Sequence, residues 1–578
     1  MFPVSFRSLV TPGLVTAALL TPVVGRTQGL PAAALPSAAT VAPDDPVARA
    51  ADAMLALTPV PGGVVGQRPY SVRELTRLAH AVETAVADRT RRGASNRSDT
   101  LALSLAGQVL DALGVAPASD AGTSRPTSGS VRFVPLQSMT VSSAATDAAI
   151  RRVPVNGYLG GIDAISLPPL DGRFGRPAVD GVATSLETVT TLGVGQWLSL
   201  VAQPRLSWTA APHDAAVGPA GSHVIVEPQR LYARGVLGNV ALQAGIDERV
   251  WGQAPLGPGM PGGTLVSANA PPLHAISIGA DTAFTLPWLF RYAGRVRAEL
   301  FVADLGARDQ RYPHSKLTVY KITLSPTPNV ELAAGIMDEF GGYGAPPLSF
   351  GSRVTDLFPF LTWLKKGADK QESNKIAPLD VRVRVPALRG ATAYWELSLD
   401  DFDARRIKSM MWQDAGNLFG VSLPRLTADG TLALDAFFQH TSFRLYEHGQ
   451  FTSGVEYAEQ IIGSPLGPNG RSLTGALAWR PAATRTVRFV LTSERRDPSP
   501  YTTTTVNGDT SATLLFVKLA QGTVEERVRA QVAVEQGRLG RGRSLTARLG
   551  ADRVTNENYV AGPVRVRPFG EASFRLGF

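Results

Sequence analysis

The sequence predicts a large antiparallel transmembrane β-barrel, all-β apart from a small α-helical domain ahead of it. Three observations carry that fold class. Apolar residues make up 44% of the 578-residue chain and charged residues 18%. Yet no uninterrupted apolar run of about 18 residues, long enough to suggest a spanning helix, follows the N-terminal segment. From about Val131 onward apolar residues recur with period two, and the positions between them often carry full charges. The connections between these alternating segments are of two kinds, tight and long, as in barrels with short periplasmic turns and long outer loops.

Residues 1–25 read as a signal peptide. Arg7 supplies a positive n-region, and residues 9–24 form a short apolar stretch broken by Pro12 and Gly13. Val23 and Gly25 allow cleavage after Gly25, and Ala32 to Ala34 offer a second possibility. Residues 26–44, rich in Ala, Pro and Thr, read as a linker. Residues 45–115 form the helical domain, a bundle at the periplasmic end or a plug in the lumen. Residues 46–57 are Ala-rich. Ser71 and Glu74 have the spacing of a capping box, with Leu75, Leu78, Ala79, Val82 and Val86 behind them at helical spacing. A third helix over 99–113 places Leu103, Ala106, Val109, Leu110 and Leu113 on one side. Residues 116–130, a Ser, Pro, Thr and Gly run, form a second linker.

The barrel then occupies residues 131–578. Val296, Ala298, Leu300 and Val302 alternate with Arg295, Arg297 and Glu299, and Leu379, Val381, Val383 and Val385 alternate with Asp380, Arg382 and Arg384. The same rhythm recurs at Val330 to Ile336, Ala393 to Leu399, Val528 to Val534 and Leu545 to Ala551. Residues 325–329 and 386–390 are tight connections, whereas 341–377 and 403–429 read as long loops. At the C-terminus Phe574, Leu576 and Phe578 share one face of a last alternating strand, and Glu571, Ser573, Arg575 and Gly577 share the other. A terminal aromatic there resembles the signal by which the barrel-insertion machinery recognises its clients. At roughly 9–11 residues per spanning strand, the segment holds about 18 strands.

Composition also excludes several classes of function. Without cysteine there is no disulfide framework or thiolate metal site, and seven dispersed histidines make a poor zinc site. The net charge of +9 is spread along strands, so nucleic acid is not the expected partner; lipopolysaccharide headgroups or acidic glycans fit better. Dinucleotide, phosphate-loop, HExxH and EF-hand patterns are absent, and Gly257-Pro-Gly-Met-Pro-Gly-Gly263 is turn chemistry. No cofactor is expected, and the barrel is expected to be a monomer.

Several matches occur in one order along the chain. The stretch from Asn239 to Gly252 leads to Ser267-Ala-Asn-Ala-Pro-Pro272, Leu286-Pro-Trp288, Pro313-His314, Pro328-Asn-Val-Glu-Leu332 and Phe340-Gly-Gly342. Tyr446 to Gly454 and Pro465-Leu-Gly-Pro-Asn-Gly470 continue the series. In this order they resemble the capsule assembly Wzi family of outer-membrane proteins. The resemblance implies a closed barrel with a helical element at its periplasmic end. It also implies a lectin-like role, holding capsular or other exported polysaccharide at the cell surface without catalysis. The alternatives are a diffusion porin or a barrel phospholipase.

Glycan recognition needs aromatic faces for sugar rings and charged or amide groups for hydroxyls. Asp247, Glu248, Arg249 and Trp251, with Asn269 in the following loop, offer both. Asp338 and Glu339, followed by Phe340 and Tyr343, sit similarly where a strand meets a Gly-rich loop. These seven polar and aromatic positions, Asp247, Glu248, Arg249, Trp251, Asn269, Asp338 and Glu339, are the candidate ligand-binding residues. The competing reading is structural, because lumenal charge pairs tie strands and plugs together inside wide barrels. Trp288, Trp363 and Trp412 fit an interfacial aromatic girdle better than sugar stacking. His440-Thr-Ser442 would put imidazole and hydroxyl on one strand face, as in outer-membrane phospholipase A, but no Asn follows closely to orient the imidazole.

Overall fold

The computed structural model describes residues 35–115, 131–153, 162, 164–211, 221–308, 310–358, 373–400, 407–505, 514–537 and 542–578. The signal-peptide reading, the 116–130 linker and Trp363 fall outside the described residues. Three helices come first: α1 (Pro46–Leu57), α2 (Val72–Arg91) and α3 (Asp99–Leu113). Asp45 caps α1 by accepting from Val47 N, with Pro46 at the position where a missing N–H costs nothing. Ser71 caps α2 through Glu74 N, as the capping spacing predicts, and α3 stops at Gly114 in the left-handed region. Met54, Leu75, Leu78, Val82, Leu105, Val109 and Leu110 form their shared core. Leu103 stands outside that stripe at 39% exposure, its place taken by Ala102 and Leu105.

Among the described residues, eighteen long antiparallel strands close the barrel, with one two-residue strand, Phe284–Thr285, as an addition. In chain order they are β1 (Val131–Thr146), β2 (Val182–Val194), β3 (Leu198–Ala211), β4 (Gly221–Leu237), β5 (Val240–Asp247) and β6 (Leu273–Ala280). Next come β7 (Arg295–Asp304), β8 (Lys316–Thr327), β9 (Val330–Phe340), β10 (Ser373–Val385), β11 (Ala391–Asp400) and β12 (Ala415–Leu423). The last six are β13 (Leu432–Thr441), β14 (Gly470–Ala482), β15 (Arg485–Arg496), β16 (Glu525–Gly537), β17 (Gly542–Thr555) and β18 (Arg565–Gly577). Pairing of β18 with β1, from Phe569↔Thr146 to Gly577↔Ser138, removes the free edges that an open sheet would expose.

The alternation does what it predicts. Leu206, Val226, Leu242, Ile276, Leu473, Leu491 and Leu549 are exposed on the outer face, where lipid supplies their solvent. Arg297, Glu331, Asp380, Glu396 and Glu571 point inward and are buried or nearly so. The 325–329 and 386–390 connections are tight turns between paired strands. The 403–429 stretch, read as one long loop, instead contains β12, flanked by a short helix α4 (Ile407–Gln413) and a turn. Gly416 and Gly420 dilute the period-two signal there, and Tyr394 lies where a Cβ on Gly420 would stand.

Tight turns gather at one end of the barrel, and the helices dock there. Arg384 donates to the Leu55 and Leu57 carbonyls, and Arg49 pairs with Glu535 at 3.0 Å. Residues 35–44, part of the stretch read as a linker, are a strap against the inner wall. Arg234 donates to Ala38 O and Arg230 to Thr40 O, at 2.8 and 3.0 Å.

Candidate functional site

Two segments enter the lumen from opposite ends and meet. Residues 58–70 come from the helical domain, and residues 248–272 fold back inward after β5. Arg68 and Val250 exchange backbone hydrogen bonds, Arg68 N to Val250 O at 2.9 Å and Val250 N to Arg68 O at 3.2 Å. Trp251 N in turn donates to Val266 O at 2.8 Å. Buried backbone must find partners, and these two segments supply them to each other in the barrel interior.

Wall carboxylates hold both segments. Glu331 of β9 accepts from Val65 N, Gly66 N and Gln253 Nε2 at 3.0, 2.9 and 2.7 Å, touching the two segments at once. Glu396 of β11 accepts from Gln253 N, from Ala254 N at 2.7 Å, from Thr264 N at 2.9 Å and from Thr264 Oγ1 at 3.1 Å. Lys321 pairs with Asp380 and donates to Gly66 O, while Arg382 donates to Gln253 Oε1 at 2.7 Å. Arg297 donates to the carbonyls of Gln67 and Pro69. Lumenal charges on five consecutive strands, β7 to β11, thus serve as fixed acceptors and donors for a foreign backbone. Gly66 is tightly enclosed, since a Cβ there would stand 2.1 Å from Gln253 Nε2.

The candidate residues sit within this packing. Asp247 accepts from Arg230 Nε, Gln243 Nε2 and Thr40 Oγ1 at 2.7, 2.8 and 3.1 Å, joining β4, β5 and the strap. Glu248 accepts from Gln229 Nε2 at 2.6 Å. Trp251, 0% exposed, meets Phe301 edge-on at 5.0 Å, and the Arg249 guanidinium lies 4.8 Å from the same ring. Asn269 is bound into the loops at the other end, donating to Ile461 O at 2.9 Å and accepting from Gly172 N at 3.3 Å. Asp338 lies 3.3 Å from Lys375, and Glu339 accepts from Ser315 Oγ at 3.1 Å. The first four therefore form one neighbourhood, and Asn269 and the Asp338–Glu339 pair have different partners. Glu331, Glu396, Gln253 and Arg68 complete the arrangement. Their only signal in the sequence is a full charge on the inward face of a strand, and for Arg68 and Gln253 not even that.

Outer loops pack over this plug as a crown. Tyr446 donates to Thr264 O and accepts from Ser464 N at 2.9 Å, and Ser267 donates to Gly463 O at 2.6 Å. Gln310 reaches Glu456 at 2.6 Å. Tyr343, 73% exposed, stands on the crown with its ring edge-on to His314 at 5.2 Å. His314 in turn lies 3.2 Å from Asp304, which also pairs with Lys316 at 2.7 Å. An exposed aromatic face beside carboxylate and ammonium groups is suited to a sugar ring and its hydroxyls. Trp288 and Trp412 lie at opposite ends of the barrel, both exposed, as a girdle requires.

The His440–Ser442 arrangement is not a dyad here. Ser442 Oγ accepts from Leu445 N at 3.2 Å to start a turn, while the His440 ring packs edge-on against Trp412 at 4.8 Å.

The family model for capsule assembly protein Wzi matches residues 157–566. Among solved structures, the chain is similar to Wzi of Escherichia coli, an outer membrane protein involved in group 1 capsule assembly and a carbohydrate-binding β-barrel. The TM-score is 0.60 at 14% identity, over 94% of this chain and all of that one. OprD of Pseudomonas aeruginosa aligns over 78% of this chain and 97% of its own, at 7% identity and a TM-score of 0.40. OccAB2 of Acinetobacter baumannii aligns over 79% of this chain and all of its own, at 10% identity and a TM-score of 0.39. No curated protein sequence matches the chain.

Proposed function

Because the chain belongs to the capsule assembly Wzi family, we propose that it holds exported capsular or related polysaccharide at the surface of the cell whose outer membrane it spans. The observation that carries this reading is the crossed lumen. With residues 58–70 and 248–272 paired inside the barrel, the crown is the surface left for a polymer outside the cell. Tyr343 supplies a ring face there, and Asp304, His314 and Lys316 supply polar groups beside it.

In this reading Asp247, Glu248, Arg249 and Trp251 serve the ligand by fixing the inward loop. Asn269 fixes the loop crown, and Asp338 and Glu339 hold the wall beneath Tyr343. Binding needs no bond-breaking step. The protein acts as a monomer in contact with lipopolysaccharide, having been delivered by the barrel-insertion machinery after removal of residues 1–25. The test is the partition of polysaccharide between cells and medium, at equal total production, in a deletion strain. Release into the medium, reversed by the wild-type gene and not by Tyr343→Ala, is the expected result. An unchanged partition refutes the reading.

A further inference from the structure

A cavity of about 230 Å³ lies between the strap and the inner wall formed by β17, β18, β1, β2 and β3. It is remote from Tyr343. Its lining includes Asp111 near the end of α3 and Phe578, both exposed at the turn end, so it reaches the periplasmic surface. At roughly 30 Å³ per water molecule it has room for several waters, or for a single sugar ring in their place.

Its polar groups divide into two sets. The guanidinium groups are already engaged: Arg176 pairs with Glu187 at 2.6 Å, and Arg548 with Glu571 at 2.7 Å. Of the uncharged ones, Thr40 and Gln203 are engaged as well, with Asp247 and Glu187, but three groups are not. Among the described residues, Gln137 Oε1, Ser138 Oγ and Thr191 Oγ1 are buried without a hydrogen-bond partner, Ser138 and Thr191 at 1% and 2% exposure. Leaving such groups unpaired is unfavourable, so a guest whose hydroxyls reach them is favoured here. A register shift between Val134 and Ser138 in the β1–β2 pairing aims these side chains, a common use of bulges.

We propose that this cavity is a second, periplasm-facing glycan subsite that takes one uncharged, hydroxyl-bearing sugar residue. The choice of a sugar as guest rests on the reading of the protein as a polysaccharide holder. The choice of an uncharged one rests on the cavity alone, since its guanidinium groups are neutralised by the protein's own carboxylates.

The chain has no cysteine, so Thr140→Cys places a single reactive thiol on the cavity lining. The full-length variant in detergent is labelled with a small maleimide in the presence of glucose, galactose or mannose, and separately of glucuronate. At least one neutral hexose slows labelling saturably, and glucuronate at the same concentration does not. Adding Thr191→Val, which removes one unpaired hydroxyl at constant shape, weakens that protection about fivefold, the worth of one neutral hydrogen bond. A thiol that no reagent reaches, no protection by any neutral hexose, equal protection by glucuronate, or indifference to Thr191→Val overturns the subsite. Failure of the broader reading shows elsewhere, as unchanged polymer partition in the deletion strain, which labelling does not report.

Discussion

Single carboxylates decide how firmly the lumen is crossed. Glu396 receives four donors from the 248–272 segment, and replacing it leaves the backbone N–H groups of Gln253, Ala254 and Thr264 without that acceptor, while Thr264 Oγ1 keeps Ser398 Oγ at 2.9 Å. Each orphaned donor costs roughly 1–3 kcal/mol, only part of which relaxation recovers. Glu396→Ala is therefore expected to expose residues 248–272 to added protease while the barrel itself still resists, read by mapping the first cleavage. Trp251→Ala acts differently. It removes a fully buried ring packed on Phe301, so about 3–5 kcal/mol of stability is lost, measurable as a lowered unfolding midpoint in detergent. A third residue gives a pH dependence. Burial alone would raise the Asp45 carboxyl, but the neighbouring Arg575 and the Val47 N–H outweigh it and hold it below the usual value of 3.8. A depressed carboxyl stabilises the folded state above its unfolded pKa, and that contribution disappears as pH falls through the folded value. Docking of α1 is expected to weaken as pH falls below 3.8, seen as increased amide exchange in residues 46–57. Asp45→Asn keeps the cap but loses the ion pair, costing roughly 1 kcal/mol at neutral pH and flattening that acid response.

At the scale of elements, the inward segment depends on a close backbone crossing. A Cβ on Gly252 would stand 2.4 Å from the Gly263 Cα, so Gly252→Ala cannot be absorbed by a side-chain rotation. The two arms of the segment must separate, and loss of the Trp251 N–Val266 O bond is expected, visible as rapid amide exchange at Trp251. This segment marks where sequence reading stops. The three helices were legible because capping residues and helical spacing are local, and Ser71 with Glu74 shows it well. Strands such as Arg295–Asp304 and Glu525–Gly537 were legible because lipid and lumen impose opposite polarity on successive residues. Ala415–Leu423 was not, since its glycines carry no polarity. Nor was the burial of Asp247 to Trp251. A charged run next to tryptophan looks the same whether sugar or protein satisfies it. What distinguishes the two is the return of residues 58–70 to Val250, a pairing set by distant contacts and not by spacing.

For the whole molecule, the same pairing separates a surface anchor from a channel. Wide barrels conduct unless something fills them, and here the filling includes two segments clamped by Glu331 and Glu396 from adjoining parts of the wall. Strand number and lumenal polarity are otherwise those of a water-filled pore. The purified protein in a planar bilayer is therefore expected to show no steady single-channel conductance. Glu331→Ala combined with Glu396→Ala removes the acceptor the two segments share and a second one that holds residues 248–272, and is expected to produce brief, irregular openings. Steady conductance of the wild-type protein would mean that the paired segments leave a continuous water path, and the crown would lose its claim to be the only polymer-accessible outer surface. If the wild type stays silent and the double variant flickers while still retaining polysaccharide on cells, plugging and anchoring are separable. The plug then protects the membrane's permeability barrier, and holding the polymer outside the cell falls to the crown.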